Sequence, residues 1–392
     1  MATSIPVPEH IIGVRVVDGI GEFYDRRVGE KFVPRGANYL YMGEIREVHG
    51  GGSYIENATF DTNHYDPQRT ETALSGMREH GYNTVRVFIT DSTHGVVGFS
   101  RRVEHEYMDN LADFLTRAKA HDIFVIFTID WLPGGIYGEV MNRDCCDTFG
   151  STTVQMLTKG GIEGTALLFQ DVIKELHARG APTEHILAYQ LRNEAYFDTN
   201  SPPFTLNRVV TTANGRSYDL SSKENWTPMI DEGIVHFIDT VRAEILKVDP
   251  TALVTIGFFV PQGPNPVNIG DPRLVATEKA IWESSADFID LHAYPGFNFS
   301  LKKTVENFKI NGLEEKPIIM GEFGAFKSQF GTARTGARAL QDWQVESCQY
   351  GFDGWLIWHW DTVDANIWNA LDADELIAKA LSPVDMPNPC QK

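Results

Sequence analysis

Short apolar runs recur eight times along this 392-residue chain, each followed by a loop and then a helical pattern. The runs are Phe32 to Tyr39, Asn83 to Ile89, Ile123 to Ile129, Ile186 to Leu191, Ala252 to Ile256, Ala286 to His292, Pro317 to Met320 and Gly354 to Trp358. Near-continuous apolarity, rather than alternation, marks strands covered on both faces. Several of the intervening helices are plain. Tyr107, Leu111, Phe114, Leu115 and Ala118 share one helical face, as do Ala166, Phe169, Val172, Ile173 and Leu176. Ile230, Ile234, Phe237, Ile238, Val241 and Ile245 form a third such face, and Gly180 stands where a helix-ending residue is expected. Strands alternating with helices make parallel βαβ units, and eight of them close into a (β/α)8 TIM barrel. The competing arrangement is a doubly wound open sheet, but no glycine fingerprint follows the first strand.

The predicted organisation is one domain. Residues 1–34 carry an N-terminal segment and the start of strand one, 35–381 the barrel, and 382–392 an extended tail. Val14 to Val33, punctuated by Gly19, Gly21 and Gly29, reads as a hairpin closing the N-terminal end of the barrel. Long loops after strands one (Leu40 to Tyr65), three (Asp130 to Gly164) and four (Glu194 to Trp226) lie on the opposite, C-terminal face, where barrels do chemistry. No Ser/Pro/Gly-rich linker separates a second domain.

A formal net charge of -19 opposes binding to nucleic acid, an anionic membrane surface or a strongly anionic polysaccharide. A neutral substrate meets no such barrier. No stretch is long and apolar enough to span a membrane. Met1 to His10 lacks a secretory pattern, which reads as cytoplasmic, or as secreted with a leader already removed. Cys145, Cys146, Cys348 and Cys390 suggest neither a disulfide framework nor a zinc pattern. The adjacent pair is open to three readings: a strained vicinal pair, a metal contact, or, preferred, two free loop thiols. No metal or cofactor is expected. Oligomeric state is left open.

Two glutamates follow strand runs: Glu194 after Gln190-Leu191-Arg192-Asn193, and Glu322 after Ile318-Ile319-Met320-Gly321. Strands four and seven face one another across a barrel, so the two carboxylates can meet over its mouth. Glycoside hydrolysis needs such a pair, one to protonate the leaving oxygen and one to attack or to activate water.

These residues resemble a clan of retaining (β/α)8 glycoside hydrolases and, within it, the cellulase/β-mannanase family, glycoside hydrolase family 5. The likeness runs from about Arg35 to Trp360. It implies that Asn193-Glu194 carries the acid/base and that Glu322, before Phe323-Gly324, is the nucleophile. Arg86 matches the arginine that holds the nucleophile, His292-Ala293-Tyr294 the strand-six His-x-Tyr, and Trp358 the tryptophan under the reactive sugar. Arg35-Gly36-Ala37-Asn38-Tyr39 is similar to the family's first strand. Two departures leave the subfamily open: Thr128-Ile129-Asp130-Trp131 offers no histidine closing strand three, and Ala195 replaces a proline after the acid/base.

The chemistry of these residues fits those roles. Arg86 is expected to donate a bidentate pair to Glu322, keeping it ionised, or else to satisfy buried carbonyls. Asn193 can reach a sugar 2-hydroxyl, Tyr294 the nucleophile, and His292 the acid or a sugar hydroxyl. Glu194 is expected to stay protonated while Glu322 stays ionised. Trp358, Trp131 and Trp226 offer flat faces to a pyranose, the last two being open to a loop-anchoring role as well. The reading is a metal-independent retaining β-glycosidase on a neutral gluco- or manno-configured glycan or glycoside. A non-catalytic carbohydrate-binding barrel and a transglycosylase are the alternatives.

Overall fold

The computed structural model describes residues 7–46, 53–89, 95–259, 273–364 and 366–391. Eight parallel strands form a closed barrel in chain order: β1 (Arg35–Asn38), β2 (Thr84–Ile89), β3 (Phe124–Ile129), β4 (Ile186–Gln190), β5 (Val254–Phe259), β6 (Phe288–His292), β7 (Ile318–Phe323) and β8 (Phe352–Ile357). Closure is made by β8 on β1, where Trp355, Leu356 and Ile357 pair with Arg35, Gly36 and Ala37. Every residue of β2, β3, β5 and β7 is buried, as their apolar runs require.

Helices α1 (Pro67–Glu79), α2 (His105–Ala120), α3 (Lys159–Ala178), α4 (Trp226–Leu246), α5 (Thr277–Trp282), α6 (Leu301–Phe308), α7 (Ala333–Ser347) and α8 (Asp372–Ala380) follow the strands in turn. The apolar faces predicted for α2, α3 and α4 are the buried ones. Helix α1 starts where it does because Asp66 accepts from the Gln68 and Arg69 amides (2.9 and 3.1 Å) and Pro67 fixes the first turn. Among the described residues, no helix is long and apolar enough to cross a membrane.

The first run divides differently from its prediction. Phe32 belongs to a separate three-stranded sheet (Ile12–Val17, Ile20–Asp25, Lys31–Phe32), and the barrel strand begins only at Arg35. Pro34, lacking an N–H, marks the break, while its carbonyl accepts from Trp355 at 2.9 Å. The sheet's hairpin turns through Asp18-Gly19, both at positive φ, as a two-residue turn demands. Its aromatic residues plug the barrel floor. Phe23 meets Phe288 edge-on at 4.9 Å, and Phe32 meets Phe124 at 5.2 Å. Truncating the fully buried Phe23 to alanine would cost about 3–5 kcal/mol.

The other end carries the elaborations. A hairpin (Met42–Arg46 with Ser53–Asn57) follows β1; residues 47–52 of that loop lie outside the described residues. Two short helices (Gly135–Met141, Ser151–Leu157) follow β3, and a hairpin (Val209–Thr211 with Ser217–Asp219) follows β4. A ladder of Ala325–Phe326 with Ile367–Trp368 joins the loops after β7 and β8.

The cysteines depart from expectation. Cys145 is bonded to Cys146, and Cys348 to Cys390, so no cysteine in the described residues is free. The second bridge joins the end of α7 to the tail, Cα to Cα 5.4 Å, a proximity that sequence separation conceals. The tail is therefore tied down and runs through turns rather than extended. Ser382 Oγ donates to His80 O at 2.7 Å, and Arg35 donates to the Leu381 and Met386 carbonyls.

Candidate active site

Strand β7 runs through Glu322 instead of ending before it, so its carboxylate rises from the barrel wall and is 3% exposed. Glu194 lies beyond the end of β4, but the chain there keeps barrel pairing. Asn193 N donates to Ile129 O (2.7 Å), Gly257 N to Arg192 O (2.9 Å) and Ala195 N to Gly257 O (2.8 Å). Gly257 permits this close approach, since a Cβ there would lie 2.0 Å from the Asn193 carbonyl oxygen. Both glutamates are thus fixed by strands, on opposite sides of the mouth. One oxygen of each and a ring nitrogen of His292 lie within 4.8 Å of one another.

Each oxygen of Glu322 is engaged. Oε1 accepts from Arg86 Nη1 at 2.8 Å, and Oε2 from the Tyr294 hydroxyl at 2.8 Å. The bidentate pairing expected of Arg86 does not form, because the guanidinium is shared among four acceptors. Nε donates to Gln190 Oε1 (2.8 Å), Nη1 also to Asn38 Oδ1 (2.7 Å), and Nη2 to Asn193 Oδ1. Asn38 is fully buried and donates to the Gly321 and Ile357 carbonyls (2.9 and 3.3 Å). It orients Arg86 from below. His292 Nδ1 sits 3.0 Å from Glu194 Oε1 and 3.3 Å from Glu322 Oε2, and Nε2 is 3.7 Å from Asp290 Oδ2.

Asp290 was not singled out in the sequence, although a lone acid in the buried run Phe288-Ile289-Asp290-Leu291-His292 is a signal. It accepts from Gly321 N (2.8 Å) and from the Gln190 amide, itself also overlooked. Burial raises the Asp290 carboxyl, but His292 and Arg86 outweigh it and hold it below its ordinary value. Burial would likewise strip His292 of its proton, yet Glu322 and Asp290 lift its pKa to about 10. His292 therefore stays protonated, its ring set among the Glu194, Glu322 and Asp290 carboxylates. Glu322 corrects another expectation. Burial pushes it up, to about 6, against the pull of His292 and Arg86. It is ionised at neutral pH, but not by a depressed pKa. Burial and the Glu322 carboxylate keep the Tyr294 phenol protonated and donating.

The mouth opens into a cleft of about 780 Å³ lined by Glu194, Glu322, Asn193, Tyr294, Phe88, Trp358 and Asp130 on one side and by Phe326, Lys327, Ser328, Asp364, Asn366 and Ile367 on the other. Trp358 stands at the end of β8, edge-on to Phe88 at 6.0 Å, with its amide bonded to Phe323 O at 2.8 Å. Asp130 occupies the end of β3, open to the cleft yet enclosed by its walls, and that enclosure raises its carboxyl against the pull of Arg192. Trp226 departs from the platform reading. Its ring packs on Phe204 at 5.3 Å and its Nε1 donates to Leu220 O, which anchors the loop after β4 outside the cleft. Trp131 is 43% exposed, carries the Arg192 guanidinium 3.9 Å above its ring, and is not in the cleft wall. The residues on the far side of the cleft carry no motif and are brought there only by the β7–β8 loop ladder.

Two strand-borne glutamates facing each other at the C-terminal mouth of a parallel barrel, beside an aromatic-walled cleft, define a glycoside hydrolase. The model described as Cellulase (glycosyl hydrolase family 5) matches residues 48–364, and the chain belongs to that family. No curated protein matches it in sequence. Its fold is similar to that of the endo-1,4-beta-mannanase from Rhizomucor miehei, at TM-score 0.62 and 15% identity over 96% of this chain and 100% of that one. It is also similar to the family 5 mannosidase from Rhizomucor miehei, at TM-score 0.57 and 14% identity over 96% and 98%. The exo-beta-1,4-mannosidase Op5Man5 from Opitutaceae bacterium strain TAV5 gives 0.58 and 17% over 94% of this chain, which spans 63% of that protein.

Proposed function

We propose that the protein cleaves a neutral, gluco- or manno-configured β-glycan or β-glycoside with retention, Glu322 acting as nucleophile and Glu194 as acid/base. The observation that carries this reading is the spacing of the two carboxylates, whose nearest oxygens lie within 4.8 Å. Direct attack uses carboxyl groups roughly 5–5.5 Å apart, whereas inversion leaves roughly 6.5–9.5 Å for an intervening water. The environments divide the labour. Glu322 is buried, pinned at both oxygens and aimed, as an attacking group must be. Glu194 is half-buried and bonded only to His292 among the described residues, free to exchange a proton with a leaving group and then with water.

In the first step Glu322 attacks the anomeric carbon while Glu194 protonates the departing oxygen. In the second, Glu194 takes a proton from water, which displaces Glu322. Tyr294 and Arg86 hold the carboxylate as it enters and leaves the covalent bond. Trp358 supplies the apolar face for the sugar. Mannan-acting proteins among the structural neighbours, both endo and exo, make manno-configured substrates the first to try. Two disulfides favour an oxidising compartment.

The test is a panel of aryl β-mannosides and β-glucosides and their oligosaccharides, with the first-formed anomer read by proton NMR. Retention supports the reading; initial formation of the inverted anomer overturns it.

A further inference from the structure

We propose that Asp130 is a substrate-binding residue whose two carboxylate oxygens accept hydrogen bonds from adjacent hydroxyls of the sugar in the cleaved position, and so set which sugar the cleft takes. The inference rests on the hydrolase reading above and adds the residue that selects its substrate.

The argument is a count of acceptors. A pyranose presents its faces to aromatic rings, but its edge carries hydroxyl donors that lose water on entering the cleft and need acceptors there. Four carboxylates line or underlie this cleft besides Asp130, and most of their lone pairs are already committed. Glu322 is engaged at both oxygens, and Asp290 is sealed beneath the floor by Gly321 and Gln190. Asp364 turns inward, Oδ1 accepting from Asn366 N (2.6 Å) and Ile367 N (3.3 Å), with Oδ2 3.8 Å from the buried His359. Glu194 is reserved for proton transfer.

Asp130 differs. It is open to the cleft, where its carboxylate accepts from the Asn193 side chain and is attracted by Arg192 and Arg86. Its position is fixed by the ladder, since Ile129, the residue before it, pairs with Ile89 of β2 and accepts from Asn193 N at 2.7 Å. The neighbouring Asn193 commits its Oδ1 to Arg86 and so keeps its N–H side for Asp130 and the sugar. A rigidly held carboxylate with unspent lone pairs, one strand away from the acid, is matched to a vicinal diol and repels an anionic sugar.

The experiment uses the full chain, the aryl glycoside most readily cleaved and its monodeoxy analogues. In the unaltered protein, two analogues lacking neighbouring hydroxyls should lose about 10- to 100-fold in kcat/KM. Asp130→Ala, which removes both contacts, should lose about the product of those two factors on the parent glycoside and only the one remaining factor on either analogue, while Asp130→Asn, keeping one acceptor, falls between. Fully multiplicative losses, or an Asp130→Ala protein as active as the original, would overturn the proposal. Calorimetric binding of the same glycoside to Glu322→Gln, with and without Asp130→Ala, reads the contact without turnover. Weaker binding in the double variant supports it even if the proposed reaction is wrong, and unchanged binding overturns it even if the reaction is right.

Discussion

Arg86 on β2 reaches Glu322 on β7, three strands away around the barrel, Nη1 to Oε1 at 2.8 Å, with both side chains almost fully excluded from water. The pair is not isolated. The same guanidinium bridges Asn38, Gln190 and Asn193, so residues from β1, β2, β7 and the end of β4 converge on one cation. Glu322 is thereby aimed before any sugar arrives.

Arg86→Lys keeps the charge but cannot reach four acceptors. Activity should fall by on the order of 100-fold or more, because each charged hydrogen bond left unmet in a buried site costs about 1.5–3 kcal/mol. Steady-state kinetics and a thermal melt check it; lysine supporting full activity would mean that the fork geometry is immaterial.

The acid limb of kcat/KM should bend near pH 6. Glu322 attacks only as carboxylate, and burial lifts its pKa to about 6, so activity is present above that value and lost as pH falls through it. A profile flat down to pH 4.5 contradicts the assignment.

Glu194→Ala removes the proton donor and spares the nucleophile. Natural glycosides, whose alkoxides leave badly, should become nearly inert, while a dinitrophenyl glycoside still reacts in the first step and then stalls without a base. Mass spectrometry should find the sugar on Glu322 as a burst. Equal losses on both substrates with no burst would exclude this role. For Glu322→Ala, added azide should restore turnover and yield a glycosyl azide of inverted configuration.

Gly321→Ala should damage the site without touching a catalytic group. The new Cβ would sit 1.9 Å from Asp290 Oδ1, and Asp290 cannot retreat from Gln190 and His292 beside it. We expect a loss of about 1–3 kcal/mol in stability from overpacking, together with greatly reduced kcat. An unchanged melt and rate would show that Asp290 is free to move.

Cys348→Ser should lower stability by about 2–4 kcal/mol, since the bridge closes a chain separation of 42 residues. Equal melting temperatures under oxidising and reducing conditions would contradict a formed disulfide.

Much of this molecule could be read along the chain because its determinants are periodic or local. The apolar runs from Asn83 to Trp358 had to become doubly covered strands, the faces of α2, α3 and α4 had to point at them, and Glu194 and Glu322 had to emerge at the mouth. What closure of the barrel decided depends on distances between residues far apart in sequence. Asp290 and Gln190 read as anonymous strand residues until the ring put them beneath His292 and Arg86. Trp226 and Trp358 are the same residue type at similar strand–loop boundaries; only packing made one a loop anchor and left the other in the cleft. The protonation balance belongs wholly to the tertiary structure. Whether Arg86 depresses Glu322 or burial raises it is a contest between charge and desolvation, and neither quantity exists until the chain has excluded water from both.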